Sequence, residues 1–295
     1  MNRKIDYKIN KNDTGKTVEG FLKERGYTHQ VLVRLKQTDH GILRNGIWAY
    51  TNERLCKDDL ITVQIVENEC SDNIAPVNLP LDIAYEDDDI IVINKPFDMP
   101  AHPSAGNHDN TLANALMYYY GSQNKPFVYR CINRLDRDTT GLTIVAKHAL
   151  AGGILGNAVA KRAIHRTYYA VCSGCTPACM RISAPIARKD ASTIERCVDF
   201  KRGENAVTDF IRIKYNPDNN LSLVKLRLLT GRTHQIRVHM KYIGFPLIGD
   251  FLYNPDYTYI SRQALHSGRL VFTHPVTGQK MNLISDIPSD MKSLF

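Results

Sequence analysis

Arg134, Asp136, Arg137 and Asp138 crowd four charges into the run Asn133–Gly141, which closes on Thr-Thr-Gly. Opposite charges nearby favour the ionised form of a carboxylate. Held so, Asp136 suits a nucleophile, or a stabiliser of positive charge developing on a substrate, better than a proton donor. The same residues would equally serve as an ion-pair network closing a surface turn, and this run alone does not separate the two readings. A divalent-metal Asp-x-Asp site ranks low, because two arginines beside the carboxylates would repel the ion.

Three other runs carry chemistry. Leu221–Leu229 reads as a strand entering Thr230-Gly-Arg-Thr, where Thr233 is expected to cap a helix over His234–Ile243 that stops at Gly244. Such a turn opens a helix N-terminus to an anion, with Arg232 and Arg237 adding charge, while Ile236, Met240 and Ile243 form the core stripe. His234 and His239 do not share a face as metal ligands, so ordinary hydrogen bonding is expected of both. Lys161–Tyr169 is a basic cluster containing Arg166 that runs into Tyr168 and Tyr169. On a strand those rings point to opposite faces, so one can face a cleft, where a ring beside arginine suits stacking on a nucleobase. Asn94–Pro103, with Lys95 and His102 each followed by proline, reads as a rigid loop.

The elements that must position these runs fall into two units. In residues 1–70, Val18, Phe21 and Leu22 mark a helix ended by Gly26. Thr28 starts a second helix with Val31, Leu32 and Leu35 buried, and Asn45-Gly46 signals a tight hairpin. Ile61, Val63 and Ile65 alternate as in a half-buried strand. Residues 71–80 read as a linker. Over 81–295, strands are expected at Ile83–Tyr85, Ile90–Ile93, Leu142–Ala146, Thr167–Cys172, Val207–Lys214, Leu221–Leu229, Leu270–Thr273 and Gln279–Leu283. Helices are expected at Asn110–Tyr120 and Leu150–Lys161. Without regular strand–helix alternation, this pattern predicts an α+β fold with a large mixed sheet.

The net charge of +8 is unevenly spread: +2 over residues 1–70, −6 over 71–98 and +12 over 99–295. The basic part is the one that holds the second and third charged runs, as a polyanion-binding surface requires. No apolar run is long enough to span a bilayer, and Met1–Asn10 lacks the apolar core of a signal peptide, so a cytoplasmic protein is expected. Its seven cysteines are then expected as free thiols. Cys172, Cys175 and Cys179, with Cys197 as the nearest fourth ligand, are weighed as a zinc site and set aside as incidental.

Taken together and in order, the runs over Leu81–Pro288, including Leu265-His-Ser-Gly-Arg-Leu-Val-Phe-Thr-His-Pro275, closely resemble the RluA-type family of RNA pseudouridine synthases. Residues 1–70 resemble a diverged S-four-type RNA-binding domain. The resemblance implies a catalytic domain built on a mixed, mainly antiparallel sheet with flanking helices. It implies isomerisation of uridine to pseudouridine in ribosomal or transfer RNA, by a monomer, with no metal or other cofactor. Asp136 matches the family's essential aspartate, Tyr168 the tyrosine that packs on the target base, and Arg237 the aspartate's basic partner, with Arg232 as the fallback. Arg134 matches the arginine that fills the space of the flipped nucleotide. Arg137, Lys95, His102, Arg166, Arg232 and His234 are the other RNA-binding candidates. The chain departs from the family at Asn133, where histidine is usual, and at Arg166, where lysine is usual; altered support of the loop is expected from the first. A catalytically silent RNA-binding protein on the same fold is the alternative.

Overall fold

The computed structural model describes residues 2–190 and 194–295. Its first unit begins with a strand that the sequence reading missed, β1 (Asn2–Lys8), whose alternating charges face solvent. Helices α1 (Val18–Glu24) and α2 (His29–Gln37) follow, then β2 (Ile42–Arg44), β3 (Ile47–Trp48) and β4 (Leu60–Val66). Thr17 and Thr28 cap the helices through their side chains. Asn45 and Gly46 both take positive φ, as a two-residue hairpin turn requires. The four strands form one sheet in the order β1-β4-β2-β3.

The second unit contains β5 (Ile83–Glu86), β6 (Ile90–Lys95), α3 (Leu112–Gly121), β7 (Arg130–Cys131), β8 (Thr140–Ala146) and α4 (Ala149–Ala160). It continues with β9 (His165–Ser173), β10 (Cys179–Ser183), β11 (Ile186–Arg188), β12 (Arg196–Val198), β13 (Val207–Asn216) and β14 (Leu221–Leu228). It ends with α5 (Gln235–Tyr242), β15 (Leu265–Thr273), β16 (Lys280–Ile284) and α6 (Ser289–Lys292). Ten of these strands make one mixed sheet along the path β10-β13-β14-β9-β15-β8-β6-β5, with β16 and β7 as side branches. Every pairing in it is antiparallel except β15 with β8.

That parallel seam sets up the site. Ser267 in β15 pairs with Gly141 on one side and with Tyr168 on the other. The loop before β8 and the tyrosine on β9 are thereby brought together. Gly141 has φ +107°, and a Cβ there would lie 2.3 Å from the Ser267 carbonyl oxygen. Only glycine lets the backbones approach this closely.

The two units share packing. Leu150 of α4 joins Phe21, Leu22, Leu32 and Ile61 in the first unit's core. Arg3 donates to both oxygens of Asp89, and Arg130 to both oxygens of Glu67. Gly26 faces Ile154 of α4, where a Cβ would sit 2.7 Å from its Cγ1. The segment 71–80 contains no helix or strand but is strapped down: Val77 N–H donates to the Asn114 carbonyl, and Asn114 Nδ2 to that of Ala75. Cys172 is buried in the sheet's core, while Cys175 and Cys179 are exposed.

Candidate active site

Asp136 sits in the turn between β7 and β8, closed by a bond from Thr139 N–H to the Asp136 carbonyl. Its Oδ2 accepts from Nη1 of Arg237 at 3.0 Å, and its side chain stays 30% exposed. Arg237, on the first turn of α5, is 1% exposed. Its Nε and Nη2 grip Oδ2 and Oδ1 of Asp250 at 2.7 and 2.8 Å. Asp250 is fully buried and also accepts the backbone N–H groups of Leu252 and Tyr253. Burial alone would lower the Arg237 pKa, but the two carboxylates more than reverse this and hold the charge in place. A planar guanidinium therefore spans a fixed carboxylate and an accessible one, with the accessible one facing a cleft.

Here the structure corrects the sequence expectation about who holds Asp136. Its neighbours in sequence point elsewhere: Arg137 pairs with Asp138 through Nε and Nη2 at 3.0 and 2.9 Å, and Arg134 is exposed at the cleft. Consecutive residues around a turn fan apart, so the counter-charge comes from 101 residues away. The expected cap is also different. His234, not Thr233, is the N-cap of α5, in a left-handed conformation at φ 56° and without a side-chain cap bond. Gln235 fastens the preceding loop instead. Its Oε1 accepts from Thr230 Oγ1 and the Arg232 N–H, and its Nε2 donates to the Val207 carbonyl and Thr208 Oγ1.

The cleft encloses about 90 Å³. Tyr168, Ile236 and Leu265 supply its apolar lining, and Arg134, Arg166, Arg232 and Arg237 its basic lining. Tyr169 faces the other side of the sheet, over Gly268, as strand alternation requires. His234 bonds Tyr253 Oη through Nδ1 at 3.0 Å, and its Nε2 lies 3.9 Å from Asp136. Burial lowers the pKa of His234, which favours the neutral ring.

His102 is exposed and packs edge-on against Tyr129, with its pKa lowered by partial burial and by Arg134. Lys95 is corrected: at 1% exposure it cannot touch a macromolecule. Its Nζ donates to the carbonyls of Pro96 and Arg137 at 2.7 and 2.8 Å, beneath the Asp136 loop. Burial lowers its pKa to about 7, against the pull of Asp136 and Asp138. A neutral amine still carries two N–H donors, so both carbonyls stay satisfied in either state. Asn133 is buried and anchors the same loop, donating to the Leu142 carbonyl and accepting from Ile144 N–H. It supports the loop from its own β8, without reaching the cleft.

The sequence profile of the RNA pseudouridylate synthase family matches residues 89–242, which include Asp136, Tyr168 and Arg237. This chain belongs to that family. It is an RNA pseudouridine synthase, an isomerase. The synthase is 38% identical over 281 residues to the uncharacterized RNA pseudouridine synthase YjbO of Bacillus subtilis (strain 168), covering 95% of this chain and 98% of the relative. It is 41% identical over 245 residues to ribosomal large subunit pseudouridine synthase D of Haemophilus influenzae (strain ATCC 51907 / DSM 11121 / KW20 / Rd), covering 78% and 75% of the two chains. Among solved structures it resembles human RNA pseudouridylate synthase domain containing 1, with a TM-score of 0.60 and 26% identity over 70% of this chain and 83% of that one. No helix among the described residues is long and apolar enough to cross a membrane.

Asp250 escaped the sequence reading. Its signal was the Gly249-Asp-Phe-Leu-Tyr253 run, in which an aspartate after glycine caps the next backbone N–H groups. Nothing local to that run announces the arginine it holds.

Proposed function

We propose that this synthase isomerises specific uridines in structured RNA, ribosomal RNA foremost, with Asp136 facing the anomeric carbon of a flipped nucleotide. The observation that supports it is the chain Asp250–Arg237–Asp136, which presents a single oriented carboxylate at a basic cleft beside Tyr168. Both oxygens of Asp250 are used, whereas Asp136 Oδ1 has no donor among the described residues. That oxygen is the one available to the ribose.

The reaction breaks the bond from ribose C1′ to uracil N1, leaving its electron pair on the base. Asp136 either bonds C1′ or faces its positive charge, as carboxylates do in glycoside cleavage. The base turns, its C5 bonds C1′, and the C5 hydrogen departs as a proton. Tyr168 packs on the base through this rotation, and Arg134 fills the gap left in the RNA, since a stacked nucleotide is out of reach. Arg166 and Arg232 draw phosphates to the rim. Residues 1–70 add a second RNA contact, residues 71–80 join them to the catalytic domain of 81–295, and the protein acts as a cytoplasmic monomer. This chemistry calls for no metal, so turnover is expected to persist in EDTA with folded RNA.

Tritium release from C5-labelled large-subunit ribosomal RNA, transcribed without modification, tests the reading directly. Wild type should release label and Asp136→Asn should not, while both bind the RNA. Equal release by both would remove Asp136 from the mechanism; binding without release by wild type would favour the silent RNA-binding alternative. Pseudouridine mapping in cells lacking the gene then identifies the target.

A further inference from the structure

The β11–β12 hairpin pairs Ile186 with Val198, Ala187 with Cys197 and Arg188 with Arg196. Ile186 and Val198 pack inward against Val238 and Tyr253. Two residues out on the same face stand the two arginines, directly opposite one another. Like charges in this register oppose pairing, so folding by itself gives no reason for them.

Nor are they neutralised. Arg188 has no carboxylate partner among the described residues, and the Arg196 guanidinium reaches only the carbonyls of Ile194 and Glu195. Nearby arginines are treated differently: Arg202 is held by Asp190 and Asp199, and Arg232 by Glu204. All four arginines line an open trough of about 490 Å³ that shares Gly231 and Arg232 with the catalytic cleft. The hairpin is also tied to the site. Arg196 N–H donates to Tyr253 Oη at 2.9 Å, and that hydroxyl bonds His234, whose Nε2 lies 3.9 Å from Asp136.

We infer that Arg188 and Arg196 form a clamp for backbone phosphates of the RNA strand beside the flipped uridine, an assignment that rests on the proposed reading of the cleft. A guanidinium fork matches two phosphate oxygens, and a phosphodiester placed between the two arginines relieves their repulsion. Phosphate contacts fix register without reading sequence. This clamp therefore sets which nucleotide meets Asp136 by distance along the backbone.

The test compares wild type with R188Q/R196Q and R188K/R196K in the full chain, using C5-tritiated, unmodified large-subunit ribosomal RNA for turnover and a ten-nucleotide oligouridylate for binding. The glutamine pair should raise KM roughly tenfold and leave kcat unchanged. It should flatten the slope of log affinity against log salt by about 2. The lysine pair, which keeps charge but loses the fork, should fall between. Thermal stability should not drop in either, because a repulsion has been removed or kept. Arg181→Gln, an exposed arginine on β10 paired with Asp209, should match wild type throughout. If the glutamine pair keeps the wild-type KM and salt slope while turnover persists, the clamp is wrong and the catalytic reading stands. A fall in kcat at constant KM likewise overturns it. If wild type releases no label at all, the reading of the cleft fails first.

Discussion

Arg237 and Arg196 both touch Tyr253, yet they are handled in opposite ways. Arg237 lies with its guanidinium carbon 5.0 Å from the Tyr253 ring centre, buried, and every terminal nitrogen is spent on a carboxylate. Arg196 offers its backbone N–H to the same tyrosine's hydroxyl while its side chain faces another arginine across the hairpin. The first arrangement fixes one carboxylate in one place, which a reaction at a single carbon requires. The second leaves charge unspent, which suits an extended polyanion met at many angles. A buried charge must be paired to be tolerated, whereas a half-exposed one is screened by water and can wait for its partner.

Substitutions can break this contrast, beginning with the largest effect. Asp136→Asn should lower kcat on the order of a thousandfold or more while leaving RNA affinity within a few-fold; loss of binding in parallel with kcat would mean that the two functions are not separate. Asp250→Ala orphans a buried guanidinium and should cost about 3–5 kcal/mol of stability by denaturant unfolding, with kcat falling as Asp136 loses its fixed partner. An Asp250→Ala protein with wild-type stability would show that the pair is not the anchor. Asn133→Ala removes two bonds from the loop and should cost about 1–3 kcal/mol. Recovery in Asn133→His would confirm that either side chain can support this turn.

Lys95 sharpens the contrast most finely, because it is a buried cation without a carboxylate in contact. Its folded pKa, lowered to about 7, lies below the unfolded value, so between pH 7 and 10 the unfolded chain binds more protons. Wild type should therefore gain stability relative to Lys95→Met as pH rises through that window, at up to about 1.4 kcal/mol per pH unit. A difference that stays constant or shrinks with pH would falsify a lowered Lys95 pKa.

Much of this was legible in local patterns. The caps at Thr28, the Asn45-Gly46 turn and the apolar stretch Leu142–Ala146 each fold as their own residues direct. β1 was missed because its half-buried strand carries charge at alternate positions and only Ile5 is buried. The β11–β12 hairpin was missed because its strands are three residues long and offer no periodicity.

By itself, the order of residues determined that Asp136, Tyr168 and Arg237 would be chemical groups on a loop, a strand and a helix, since turn, alternation and helical stripe are short-range properties. It did not determine that Arg237 rather than Arg134 or Arg137 would hold Asp136, that Lys95 would lie under the loop, or that Asp250 would complete the chain of charges. Those pairings span up to 101 residues and arise where β8 and β15 run parallel across Gly141. Electrostatic attraction acts through a few ångströms of space, and only the packed sheet decides which residues share it.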